Sequence, residues 1–259
     1  MTEAALATRG AQLNPVAKLA AVLILTVVLV LSIDWVSATV ALCCEAIGLR
    51  WAGLSPRQFA RRTWPVWVGA AMAGLTTVLY GQTHGEVHLQ FGPVNVSDGS
   101  IELGAATALR ILAIGLPGVV LFATTDPTDL ADALAQRLRL PARFVLGGLA
   151  GMRLVGLFLD DWRYLSLARR ARGIDDSRGV VARIRRLTTQ TFTLLVLAIR
   201  RGSKLATAME AKGFGATTTR SWARPSPLGR ADAVLVTASV LTAVAAVALS
   251  VTAGTWGTR

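Results

Sequence analysis

The sequence predicts an all-α integral membrane protein with about five transmembrane helices and long cytoplasmic helices between the fourth and fifth spans. Three observations carry this. Hydrophobic residues make up 53% of the 259 positions and charged residues only 16%, against about 25% charged in ordinary soluble domains. The apolar residues fall in runs approaching the roughly 20 residues a span requires. The charge is segregated: 19 of the 27 Lys and Arg residues, but only 8 of the 15 acidic ones, lie between Thr124 and Arg230. A basic segment flanked by apolar runs faces the cytoplasm under the positive-inside bias. The net charge of +12 is therefore read as membrane topology, not as the footprint of nucleic-acid binding.

The start, "MTEAALATRGAQLNPVAK", is too polar for a cleavable signal peptide. The first apolar stretch, Leu19 to Leu49, is interrupted by Asp34 and Glu45 and is long for one span but short for two. Arg9 and Lys18 precede it; Arg50, Arg57, Arg61 and Arg62 follow it. Basic residues at both ends predict a hairpin of two short helices, turning at Asp34-Trp35 on the far side. Cys43 and Cys44 are adjacent within this run, which suits small membrane-helix fillers and not a disulfide framework. Trp64 to Tyr80 forms the third span, with Trp64, Trp67 and Tyr80 as interfacial aromatics. The loop "GQTHGEVHLQFGPVNVSDGS" has no Lys or Arg and is placed outside. Glu102 to Ala123 returns to the cytoplasm carrying Arg110, and Ala233 to Gly254 is the last span. The N-terminus is then cytoplasmic. The chain divides into an N-terminal membrane region (1–123), a cytoplasmic region (124–230) and a C-terminal transmembrane helix (231–259).

The cytoplasmic region opens with "TTDPTDLADALAQRL", where Thr125 or Asp126 can cap a helix, Pro127 suits its first turn and Asp129 favours its positive end. Pro141 starts a second helix reaching about Arg172. Leu187 to Ile199 is apolar but too short for a full crossing, so it is expected to pack on other helices or lie at the interface.

Two helix ends stand out. "LARRARGID" (Leu167 to Asp175) and "LATAMEAKGF" (Leu205 to Phe214) align at a constant offset: Ala168, Ala171, Arg172 and Gly173 fall forty residues before Ala208, Ala211, Lys212 and Gly213. Glycine fits the position after a helix, where φ is often positive, and a terminal cation complements the last carbonyls. One reading is two well-capped helices with slim, Ala-lined faces. The other is two cationic tips presented to a partner that supplies carboxylates or carbonyls.

The remaining candidates are thinner. His84 and His88 in "HGEVH" have a metal-compatible spacing, but no further ligand is evident, so no metal is assigned. Gly147, Gly148 and Gly151 suit close helix contact, and "GFGATTTR" lacks the ending of a phosphate loop. Arg110 is the conspicuous intramembrane charge; the alternative for it is an interfacial Arg reaching toward Glu102. No nucleophile and base pair stands out, so no catalytic residue and no cofactor is assigned.

Several segments together resemble the transmembrane coupling subunit of energy-coupling factor transporters, the ABC-type importers of vitamins and of cobalt or nickel ions. They are "LNPVAKL", "LRIL" around Arg110, "TTDPTDLADAL", "MRLVGLFLDDWRYLSLARRARGID" and "LATAMEAKGF", and the likeness covers nearly the whole chain. The resemblance implies a multi-pass protein of the bacterial cytoplasmic membrane with three kinds of partner: two cytoplasmic ABC ATPases, a substrate-binding membrane subunit and the bilayer. It implies that Ala171, Arg172 and Gly173, with Ala211, Lys212 and Gly213, end coupling helices that dock on the ATPases. Arg110, Arg153, Asp161, Ala168, Ala208 and Glu210 are supporting positions. The chain departs from the family pattern at Lys212, where Arg is usual, at Gly156, where Pro is expected, and at Asp160 or Asp161, where Glu is usual. The competing reading is a self-contained membrane transporter or permease. It would need polar residues lining a path, and the spans offer little beyond Arg110, Glu45 and Asp34.

Overall fold

The computed structural model describes residues 13–32, 34–51, 55–81, 85–91, 94–173, 179–214, 222 and 224–255. In chain order they form α1 (Pro15–Leu31), α2 (Trp35–Trp51), α3 (Pro56–Tyr80), the strands β1 (Val87–Phe91) and β2 (Val94–Ser97), then α4 (Asp98–Thr124), α5 (Pro127–Arg137), α6 (Ala142–Ala171), α7 (Val180–Ala211) and α8 (Arg230–Thr252). The chain separates into two compact units: Met1–Ala133 with Ser226–Arg259, and Leu134–Pro225.

The first unit holds α1 to α4, the start of α5, and α8. Its first apolar stretch is indeed two helices, broken ahead of Trp35 as the charge pattern predicts. The break has a local cause. Asp34, buried, accepts the Ser37 amide on Oδ2 and the Ser37 hydroxyl on Oδ1, both at 2.7 Å, and the Ser32 and Ser37 hydroxyls meet at 3.0 Å. A carboxylate that accepts an amide in the first turn of α2 ends one helix by starting the next. α3 begins at Pro56, about two turns before the expected Trp64, because the Ser55 hydroxyl caps it by accepting the Gln58 amide at 3.3 Å. The connection between α3 and α4 contains a feature that composition did not suggest, the antiparallel pair β1–β2, which leads into α4 through a Ser97–Ser100 capping box.

Small residues let these helices approach closely. Ala17, Ala21, Ala38, Ala41, Ala70, Ala106, Ala113, Ala243 and Ala246 are all buried, the composition expected where dispersion, not a hydrophobic driving force, holds helices together. α3 and α4 meet backbone to backbone at Gly74 and Gly104: a Cβ on Gly104 would lie 2.8 Å from the Gly74 carbonyl oxygen and 2.4 Å from Val78. Large apolar side chains such as Leu31, Met72, Leu75, Phe122, Val234 and Leu241 face outward, as on a lipid-facing surface.

The sequence "LNPVAKL" acts at one end of this unit. Asn14 caps α1 through its Oδ1, which accepts the Val16 amide at 3.0 Å. Its own amide donates to Asp232 Oδ1 at 2.7 Å, and its Nδ2 donates to Ser226 and Pro227. Asp232 in turn caps α8 by accepting the Gly229 amide at 2.7 Å. Lys18, buried on α1, donates to the Thr124 carbonyl at 3.0 Å, and Arg62 on α3 donates to the Ala123 carbonyl at 3.1 Å. Two cations thus satisfy the exposed carbonyls at the end of α4.

The second unit holds the end of α5, α6 and α7. The helix predicted from Pro141 is α6. The short apolar run Leu187 to Ile199 is the middle of one 32-residue helix, α7. By length and composition α6 is as capable of crossing a membrane as α4 and α8, whereas α1 and α2 are shorter apolar helices. Among the described residues, nothing lies within 4 Å of a Cβ at Gly147, Gly148 or Gly151, so no close helix contact is seen there. α6 also continues unbroken through Gly156.

Candidate docking site

Both predicted tips are in the second unit, and their backbones repeat each other. α6 ends on Ala171, followed by Arg172 at φ −90°, ψ 3° and Gly173 at φ +66°. α7 ends on Ala211, followed by Lys212 at φ −86°, ψ 9° and Gly213 at φ +76°. The hydrogen bonds match one for one. The Arg172 amide donates to the carbonyls of Ala168 (3.3 Å) and Arg169 (3.2 Å), as the Lys212 amide does to Ala208 and Met209 (both 3.2 Å). The Gly173 amide donates to the Arg170 carbonyl at 3.0 Å, as that of Gly213 does to Glu210 at 2.9 Å. At the second tip the Phe214 amide closes back on the Met209 carbonyl at 2.9 Å, completing a Schellman motif. The corresponding residue of the first tip, Ile174, lies outside the described residues.

The left-handed glycine gives each tip its shape. It turns the chain sharply away from the helix axis, so the cation before it projects from a blunt end. Ala171, Arg172, Gly173, Ala211, Lys212 and Gly213 are all exposed. Among the described residues neither the Arg172 guanidinium nor the Lys212 ammonium has a side-chain partner. Ala168 and Ala208 are exposed as well; within the chain they contribute carbonyls to the caps and not packing faces. Charge breaks the symmetry. The first tip has Arg169 and Arg170 in its last turn, whereas the second has the acidic Glu210 beside Lys212.

The supporting positions separate. Asp161 on α6 receives a two-armed contact from Arg201 on α7: Nη1 donates to Oδ2, and Nη2 donates to Oδ1 at 3.2 Å. Its neighbour Asp160 instead lies 3.6 Å from Arg163, one turn along the same helix. Arg153 is exposed. Arg110 belongs to the first unit, where the carboxylate whose charge acts on it is Asp34 and not Glu102, the partner in the alternative reading. Of the two histidines, His84 lies outside the described residues, and His88 Nε2 sits 2.7 Å from Asp98 Oδ1.

The family resemblance carried by these sequence segments is borne out by comparison. A family model for CbiQ, the cobalt transport protein, matches residues 9–221. The chain belongs to the CbiQ family. It is similar to the energy-coupling factor transporter transmembrane protein EcfT of Limosilactobacillus fermentum, at 30% identity over 85% of this chain and 83% of the relative. It is also similar to those of Heliobacterium modesticaldum, at 27% over 85% of each chain, and of Bacillus selenitireducens, at 28% over 92% and 91%. The CbiQ-family chain is thus a transmembrane component of the energy-coupling factor type. Sequence reasoning about it overlooked Arg201, which sits at the same offset from Asp161 that separates the tips. It took Lys18 only as a flanking charge and Asn14 only as part of the family likeness, and it overlooked Asp232, whose polarity at the edge of an apolar run was the available signal.

Proposed function

We propose that this protein is the coupling subunit of an importer: it transmits conformational changes from two cytoplasmic ABC ATPases to a separate substrate-binding membrane subunit. The observation that carries this is the pair of tips, two exposed cations held by the same left-handed glycine cap at a forty-residue repeat. A repeated, outward-facing geometry suits two similar grooves on two related subunits. The charge-assisted hydrogen bonds each cation would form there are worth roughly 1.5–3 kcal/mol apiece. The exposed apolar surfaces of α6 and α7, among them Phe144, Val155, Leu159, Phe192 and Val196, suit the membrane subunit that must be moved. The cargo is a vitamin or a transition-metal ion, recognised by that partner. ATP hydrolysis belongs to the ATPases, and the chain itself is non-catalytic.

The test is co-purification of the two ATPases with wild-type chain and with Arg172→Glu/Lys212→Glu. The expected result is a stable complex for the wild type and loss of the ATPases from the double variant. Full retention by the double variant would reduce the tips to well-capped helix ends.

A further inference from the structure

We propose that Asp161 and Arg201 form a brace that sets the separation of the two tips, which makes them positioning residues for the coupling step. The proposal rests on the docking reading above. Three features of the second unit carry it.

The first is placement. Asp161 is eleven residues before Arg172 on α6, and Arg201 is eleven residues before Lys212 on α7. Eleven residues are three helical turns to within about 20°, so brace and tip share a face of each helix, about 16 Å apart. The second is direction. Ser166 on α6 meets Gln190 on α7, Nε2 to Oγ at 3.4 Å. Relative to the ion pair, this contact lies toward the tip of α6 but toward the start of α7, so the helices run in opposite senses. The tips therefore lie on opposite sides of the brace, on arms of equal length and up to about 33 Å apart. The third is how little of either helix is buried. Among the described residues α6 buries nothing and α7 buries only Gln190. No packed core fixes one helix on the other, so the angle between them depends on the polar crossing. A guanidinium gripping both carboxylate oxygens fixes orientation as well as distance, which an ammonium would not.

The experiment has two arms. In the isolated chain, with Cys43→Ala and Cys44→Ala, spin labels at Leu167→Cys and Thr207→Cys report the tip-to-tip distance by pulsed electron paramagnetic resonance. One narrow distribution is expected for the unmodified brace, and broad ones for Asp161→Asn, Arg201→Gln and Arg201→Lys. The charge swap Asp161→Arg/Arg201→Asp should narrow it again. In unlabelled complexes reconstituted with both ATPases and the substrate-binding subunit, the single variants should retain the ATPases. Substrate uptake per ATP hydrolysed should fall about fivefold or more and recover in the swap. Unchanged distance distributions, or unchanged uptake per ATP, in the single variants would overturn the brace. If the wild type holds no ATPase, the docking reading and the coupling role fail together, and the distance measurements still report whether the pair fixes the tips.

Discussion

Replacing both tip glycines by alanine isolates backbone geometry from every other property of the site. Gly173 and Gly213 have φ of +66° and +76°, and among the described residues nothing lies within 4 Å of a Cβ built on either. Alanine therefore meets no steric obstacle there. Its cost is conformational, about 1–2 kcal/mol for an L-residue held in the left-handed region. At tenfold per 1.4 kcal/mol, each substitution lowers the population of the native tip about five- to thirtyfold relative to competing end conformations. The lost bonds are the glycine amide contacts with Arg170 and Glu210 and, at the second tip, the Phe214 closure on Met209. If docking requires the blunt tip, apparent affinity falls by up to the same factor, because only the competent fraction binds. The double variant is needed because one intact tip would mask the loss at the other through effective concentration. The assay is the dissociation constant of purified ATPases from the chain in nanodiscs. The controls are Gly156→Ala and Gly202→Ala, in α6 and α7, where a Cβ also meets nothing but φ is not positive. They should bind as the wild type does. Gly173→Asn/Gly213→Asn should fall between wild type and the alanine variant, since Asn tolerates positive φ. Wild-type affinity in the double alanine variant would refute the claim that these caps shape a docking surface.

Two further outcomes test the membrane unit. Gly104→Ala places a Cβ 2.8 Å from the Gly74 carbonyl oxygen and should destabilise the α3–α4 contact by about 1–3 kcal/mol. Gly118→Ala, on the same helix with open space around it, should not; thermal unfolding in detergent compares them. Lys18→Met removes a buried cation from the Thr124 carbonyl and should cost about 1.5–3 kcal/mol, the worth of a hydrogen bond to a charged group. An unchanged melting midpoint would show that water or Arg62 satisfies the end of α4 equally well.

Most of the architecture was legible because membrane helices write their lengths in apolar runs and their capping in short polar signals. Pro127 after Asp126 marked α5, and the Asp126 carboxylate does accept the Thr128 amide, at 2.8 Å. Asp34 within an apolar run marked the α1–α2 turn for the same reason. What escaped was of two kinds. The β1–β2 pair is short and sits in a loop marked by its lack of cations and its two histidines, and nothing in its periodicity set it apart from an irregular connection. The other kind depends on depth. α6 meets the length and apolarity of a span as well as α4 or α8 does, and hydropathy alone does not distinguish a helix buried in lipid from one covered by protein.

The tips and the brace show where sequence reasoning reached its limit. A positive-φ glycine after a cation is a local signal, since the conformation is dictated by the last turn of one helix. Reading it twice at a fixed offset was enough to locate both tips. The Asp161–Arg201 pair is not local in that sense. Each residue alone looks like an ordinary solvated charge, and only the crossing of α6 and α7 makes them partners. The same offset relates them, however, and that has a physical reason. If two arms of equal length are to present equivalent ends, their crossing must lie the same number of turns from each end. The repeat that marks the tips then also marks the crossing, and a pair of opposite charges in register with it becomes a specific expectation about which residues meet.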